Sequence, residues 1–132
     1  MSIPDAPLIL VVDDTKETRT LMHRVLQRDR LRVIEADSGE AAIRAIESSH
    51  PDLVVLDLRL PGISGLDVAR WVRAHDDPQI AQTLLVACSA SIQPEVQAEA
   101  LAAGCDDFEG KPFDVTTFAS RLRDVLSRRP AG

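Results

Sequence analysis

The chain has 132 residues, 45% hydrophobic and 27% charged, with a formal net charge of -6, which is the size and composition of one globular domain around a single core. The negative balance argues against a dedicated nucleic-acid binder. With no apolar stretch approaching a membrane span and no basic region leading into a long apolar core at the N-terminus, a cytoplasmic protein is expected.

Strand and helix patterns alternate along the sequence. Leu8–Val12 reads as a strand, and Lys16–Arg28 as a helix with Leu21, Met22, Val25 and Leu26 on one face. A second strand is expected at Arg32–Ala36, with Val33 and Ile34 buried. The helix after Ser38-Gly39 should turn Ile43 and Ile46 inward. Pro51 precedes a third strand, Leu53–Leu56. A third helix starts near Ser64, where Ser64 and Asp67 have capping-box spacing, with Leu66, Ala69, Val72 and Trp71 inward. Leu84–Cys88 is the fourth strand. The fourth helix carries Pro94 early, runs to about Ala103 and ends at Gly104, which suits a left-handed cap. A short fifth strand spans Asp107–Glu109. The fifth helix is expected to begin after Pro112 and to bury Val115, Phe118, Leu122, Val125 and Leu126.

Runs of consecutive apolar residues suit strands buried on both faces, as in a parallel sheet covered by helices. Five strand–helix repeats with short links predict a doubly wound α/β fold with five helices. One domain over residues 1–132 is expected, with its core at about 8–126 and frayed tails at 1–6 and 128–132. Cys88 and Cys105 have no metal or redox spacing, and Cys88 falls in a strand, so structural thiols are expected.

In such sheets the ligand site lies just outside the carboxyl ends of the strands. There the sequence sets Asp13, Asp14, Asp57, Ser89 and Lys111. Alone, each has an ordinary reading: a helix cap, a turn or a loop residue. Together, three carboxylates, a hydroxyl and an ammonium suit a divalent cation and a phosphoryl group. Crowded carboxylates are relieved by a bound cation, and hard cations such as magnesium take oxygen ligands. An Asp carboxylate can also attack phosphorus. The charge on the transferring group then calls for cationic and hydrogen-bonding partners.

Four motifs carry a resemblance to a known family. They are Val11-Val12-Asp13-Asp14; Asp57-Leu-Arg-Leu-Pro61-Gly62-Ile-Ser-Gly65; Cys88-Ser89-Ala90; and Gly104-Cys-Asp-Asp-Phe108-Glu-Gly-Lys111-Pro112-Phe113. On these, the chain resembles the receiver domain of two-component response regulators over about Leu8 to Leu126. The resemblance implies the flavodoxin-like strand order 2-1-3-4-5. It implies Asp57 as phosphoacceptor, and Asp13, Asp14 and Asp57 with the backbone carbonyl of Arg59 as ligands of Mg2+, or alternatively Mn2+. Lys111 is implied as the phosphoryl partner, Ser89 as the switch hydroxyl, Phe108 as the switch aromatic and Lys111–Pro112 as a cis peptide. Phosphorylation is then expected to alter the face made by the fourth helix, fifth strand and fifth helix.

Implied partners are a sensor histidine kinase or histidine phosphotransfer protein and a downstream target protein, with no direct DNA or membrane binding. The chain is expected to stand alone as a monomer or a phosphorylation-dependent dimer, and to turn over no separate substrate. Two other readings are a phosphorylation-independent scaffold and an Asp-nucleophile phosphohydrolase, although haloacid-dehalogenase-like enzymes carry the nucleophile and acid pair in the reverse order. Three departures from the family pattern stand out: Leu60 where Met is frequent, Phe108 without a tyrosine hydroxyl, and Arg59 beside the site, able either to steer phosphodonors or to obstruct water. Arg19, Arg24 and Arg28 form a basic face, solvated or docking a kinase. Arg121, Arg123, Arg128 and Arg129 suit the carboxyl end of a helix. His23, His50 and His75 receive no role.

Overall fold

A computed structural model describes residues 6–128. Its strands are β1 (Leu8–Val12), β2 (Arg32–Ala36), β3 (Leu53–Asp57), β4 (Leu84–Ser89) and β5 (Asp107–Gly110). They form a parallel sheet in the order β2-β1-β3-β4-β5. The helices are α1 (Lys16–Arg28), α2 (Gly39–Ser49), α3 (Gly65–Ala74), α4 (Pro78–Ala81), α5 (Pro94–Ala102) and α6 (Phe118–Ser127).

The two-residue alternation of strand side chains divides the core between the two faces of the sheet. Leu10, Val12, Val54, Leu56, Leu85 and Ala87 point to one face and pack with Ala42, Ile46, Val68, Ala69, Val72 and Ala100 of α2, α3 and α5. Ile9, Val11, Leu53, Val55, Val86 and Cys88 point to the other, against Met22, Leu26, Phe118, Leu122 and Val125 of α1 and α6. Each fully buried aliphatic side chain contributes about 2 kcal/mol. Cys88 and Cys105 are free and buried within these layers.

Helix ends follow local chemistry. The Ser64 hydroxyl accepts from the Asp67 N–H at 3.1 Å and the Asp67 carboxylate accepts from the Ser64 N–H at 3.3 Å, a reciprocal cap on α3. After α5, Cys105 N–H bonds to Ala100 O and Gly104 N–H to Leu101 O, both at 3.0 Å, with Gly104 at φ +105. This double bond pattern places glycine at the one position requiring a left-handed backbone.

Several expectations need correction. A sixth helix, the single turn α4, follows Asp77, whose carboxylate accepts from Gln79 N–H at 2.9 Å; Pro78 opens it and Ile80 is buried. The last helix begins at Phe118 and not after Pro112, because Asp114 holds a preceding turn. Its Oδ1 accepts from Thr116 N–H at 2.8 Å and its carbonyl from Phe118 N–H at 3.0 Å. Val115 is therefore 47% exposed. Leu21 is 44% exposed, lying at the margin of the α1 stripe. Val33 and Ile34 are half-buried because β2 is an edge strand with one neighbour. On α2, Ala42 takes the inward position and Ile43 is half-buried; Leu66 and Trp71 are half-buried beside the core.

Most of the expected tails, residues 1–5 and 129–132, lie outside the described residues. Ala6 is buried and its carbonyl accepts from Arg32 Nε at 2.7 Å. Arg128 closes α6 and pairs with Asp124 at 2.8 Å. Arg121 and Arg123 also serve as tertiary partners instead of helix-end charges: Arg121 meets Glu109 at 2.7 Å, and Arg123 reaches Asp29 beyond α1.

Candidate functional site

Asp57, Ser89 and Gly110 are the last residues of β3, β4 and β5, and Asp13 directly follows β1. Parallel pairing brings these ends to one rim: Asp57 pairs with Cys88, and Ser89 with Gly110. The Leu58 N–H bonds to Cys88 O at 3.0 Å, and the Lys111 N–H to Ser89 O at 2.8 Å, carrying the sheet bonding one residue past the strands. A site set on strand ends inherits the rigidity of the sheet.

Three carboxylates meet there. One oxygen each from Asp13, Asp14 and Asp57 lies within 4.8 Å of the others; Asp13 and Asp57 are buried and Asp14 is exposed. The Lys111 ammonium stands 2.8 Å from Asp57 Oδ2 and 2.6 Å from Asp13 Oδ2. Asp57 Oδ1 accepts the Arg59 backbone N–H at 3.0 Å, and Asp13 Oδ1 accepts the Thr15 N–H at 2.8 Å. Asp13 Oδ2 has ammonium charge beside it but no aligned hydrogen bond from any described residue.

Burial pushes the Asp57 carboxyl above the usual carboxylate range, opposed by the Lys111 and Arg59 hydrogen bonds and the Lys111 charge, while the Asp13 charge adds to it. For Lys111, burial alone would lower the pKa, but Asp13 and Asp57 outweigh it and hold the ammonium above its ordinary value. The lysine is thus a permanent cation. Burial also pushes the Cys88 thiol up to about 12, so the sulfur beside the site is no nucleophile.

The donor set fits a hard divalent cation. It offers three carboxylates within reach of one another against the single Lys111 ammonium.

The remaining expected site residues are arranged around this centre. Ser89 is 5% exposed, and its hydroxyl oxygen accepts the Ser91 N–H at 3.1 Å. Phe108 pairs with Ala87, and its half-buried ring packs on the α2–α3–α5 side of the core. The Arg59 side chain is exposed. The Lys111–Pro112 peptide bond is cis.

Two residues belong to the site that sequence reasoning gave no place in it. A Cβ on Gly65 would stand 2.2 Å from Asp57 O and 2.9 Å from Leu58 Cα, so glycine alone lets α3 start against the backbone carrying Asp57. Its signal was present, as the last residue of the Asp57–Gly65 motif. Arg19, expected on a basic outer face, donates to Asp13 O at 2.8 Å, and its side chain is only 15% exposed. Arg24 and Arg28 remain exposed. Among the histidines, His23 contacts Glu35 at 2.7 Å and His75 lies 3.7 Å from Glu47.

Residues 9–123 match the family model described as response regulator receiver domain. The chain belongs to this family. Along 92% of its length this receiver domain is 37% identical to the transcriptional regulatory protein AfsQ1 of Streptomyces coelicolor, covering 52% of that protein. It is 38% identical to the virulence sensor protein BvgS of Bordetella pertussis over 91% of its length, covering 10% of that protein. It thus spans about half of one relative and a tenth of the other. The solved chemotaxis response regulator CheY4 of Vibrio cholerae superposes with a TM-score of 0.85 at 25% identity, over 91% of this chain and 98% of that one. Receiver domains are signalling domains, here found alike in a regulator and a sensor. Among the described residues, no helix is long and apolar enough to cross a membrane.

Proposed function

We propose that this receiver accepts a phosphoryl group on Asp57 from a phosphohistidine of a sensor kinase or phosphotransfer protein. The observation that carries this reading is the Lys111 ammonium, 2.8 Å from the buried Asp57 and 2.6 Å from Asp13. An Asp57 oxygen forms the bond to phosphorus as the phosphorus–nitrogen bond breaks and the imidazole nitrogen leaves with the electron pair. Lys111 neutralises one phosphoryl oxygen, the Ser89 hydroxyl donates to another, and the Arg59 N–H steadies the attacking carboxylate. Asp13, Asp14, Asp57 and the Arg59 carbonyl would hold Mg2+ or Mn2+, which supplies positive charge for the transferring group. Water later cleaves the aspartyl phosphate, restoring the carboxylate; no separate substrate is turned over.

Ser89 and Phe108 are the switch pair in this reading. Drawing the Ser89 hydroxyl toward added charge shifts the equilibrium of the α5–β5–α6 face, and a target protein reads the result. Phe108 is already half-buried beside the core, and its ring has no hydroxyl that needs a polar partner. The unit is one domain over residues 1–132 with its core at about 8–126, cytoplasmic, and either a monomer or a dimer formed on phosphorylation.

Intact mass after incubation with acetyl phosphate, with and without Mg2+, tests the proposal. Wild type should gain one Mg2+-dependent phosphoryl adduct, and Asp57→Asn should gain none while remaining folded. A phosphoryl group retained on the variant overturns the assignment.

A further inference from the structure

The Asp13–Asp14 turn has an unusual anchor. Thr15, at the N-cap of α1, makes no side-chain capping bond, so the usual device for fixing a strand-to-helix turn is missing. The carbonyl of Asp13 is instead held from α1 by Arg19, whose Nη1 donates to it at 2.8 Å. The Nε of the same guanidinium donates to Glu35 Oε1 at 3.2 Å. The second oxygen of Glu35 lies 2.7 Å from His23 Nδ1, one turn further along α1. Glu35 pairs with Val11 in the sheet, and the next residue, Ala36, accepts the Asp13 N–H at 3.1 Å. Both backbone groups of Asp13 are therefore tied to the end of β2, the N–H directly and the carbonyl through Arg19 and Glu35.

We propose that Arg19, held by Glu35, which His23 contacts in turn, is a positioning residue that sets the Asp13–Asp14 carboxylates for a divalent cation. The inference rests on the reading of these acids as cation ligands. A planar fork with separate N–H groups bridges a carbonyl and a carboxylate in one fixed geometry, whereas an ammonium on a flexible stem holds them less rigidly. Groups one step behind metal ligands commonly set affinity in this way. The sign of the effect separates positioning from charge. As a mere neighbouring cation, Arg19 would repel Mg2+, and its removal would tighten binding. As a positioning residue, its removal loosens binding.

Calorimetric titration with Mg2+ of wild type, Arg19→Gln, Arg19→Lys, Glu35→Gln and the Arg19→Gln/Glu35→Gln double variant tests the proposal, with thermal unfolding in chelator as a check on folding. Arg19→Gln should weaken Mg2+ on the order of tenfold, and Arg19→Lys should not rescue it. Glu35→Gln should weaken binding by a smaller factor. The double variant should be no worse than Arg19→Gln, since the residues act as one unit. Tighter or unchanged Mg2+ binding in Arg19→Gln, or full rescue by lysine, overturns the role. Should Arg19→Gln fail to fold, the lysine and Glu35 variants still decide. Phosphoryl uptake by wild type keeps the two claims apart. Uptake on Asp57 with unaltered Mg2+ affinity in Arg19→Gln removes only the positioning role. A wild type that binds no Mg2+ and takes up no phosphoryl group removes both.

Discussion

At the amino-terminal rim of the sheet, charge drawn toward the interior is met by a full set of partners; at the carboxyl-terminal rim, three carboxylates share one ammonium. Arg73 of α3 occupies the first. It donates to Gly104 O at 2.9 Å, Ala81 O at 2.9 Å and Thr83 O at 2.6 Å, and pairs with Asp106 Oδ2 at 2.9 Å. Asp106 in turn accepts the Leu85 N–H at 2.8 Å. One guanidinium thus stitches α3, α4 and the turns into β4 and β5. The opposite rim crowds oxygens of Asp13, Asp14 and Asp57 within 4.8 Å, with the Lys111 ammonium 2.6 Å from Asp13 Oδ2 and 2.8 Å from Asp57 Oδ2. The first arrangement stabilises the domain; the second sets electrostatic repulsion that a bound cation would relieve. Proteins depart from local consistency at functional sites, and the crowded acids at the carboxyl rim are such a departure.

Substitutions at the two rims should therefore differ in whether they touch the chemistry of the acidic site. Gly65→Ala is expected to have the largest effect, because a methyl 2.2 Å from Asp57 O must displace backbone. It should cost about 3 kcal/mol by chemical denaturation and slow phosphoryl uptake at Asp57. At the other rim, Arg73→Ala strips donors from three carbonyls. A loss of about 2 kcal/mol is expected, since water replaces part of what is removed, with the uptake rate unchanged while the protein remains folded. Asp14→Asn should run the other way. In chelator it should raise stability by about 1 kcal/mol by easing repulsion, and the further rise in thermal midpoint that Mg2+ gives wild type should disappear. A loss of stability in chelator would mean that the acidic rim is not under electrostatic stress.

The smallest effect concerns pH. Burial holds the Glu109 carboxyl above its ordinary value of 4.5, partly opposed by Arg121. For an acid raised in the folded state, that state binds more protons across the interval between the two values. Stability from this group is thus present below 4.5 and lost as pH rises through the folded value. Asp57 shifts in the same direction, so the informative quantity is the difference between wild type and Glu109→Gln in thermal midpoint across that range. The wild type should fall more steeply with rising pH. Equal slopes would remove Glu109 as a source of the dependence.

Much of this molecule is legible residue by residue. Apolar runs end at Val12, Leu56 and Cys88, so the acids and the hydroxyl that follow have to emerge at the sheet's carboxyl rim; polarity forces the boundary. The α3 capping box and Gly104 were readable because their chemistry is local. The exposure of Val115 is hidden in the sequence because an apolar residue after Lys-Pro fits the helical period, while Asp114 competes locally to hold a turn. Asp77-Pro78 carries both a cap and a first-turn proline, but the four residues of α4 are too few to show a period. Helical spacing puts Arg19 on a basic face with Arg24 and Arg28, but says nothing of how far one side chain folds back.

By itself, the sequence determined the alternating α/β fold, the parallel sheet with its two-sided core, and the set of groups at its carboxyl rim, because burial and local hydrogen bonding depend on neighbours in the chain. Only the tertiary structure decided that Lys111 bridges Asp13 and Asp57, that Gly65 leaves room for the Asp57 backbone, and that Arg19 ties Asp13 to Glu35. Those relations join residues on different elements. Their distances follow from how strands and helices pack, which no local spacing encodes.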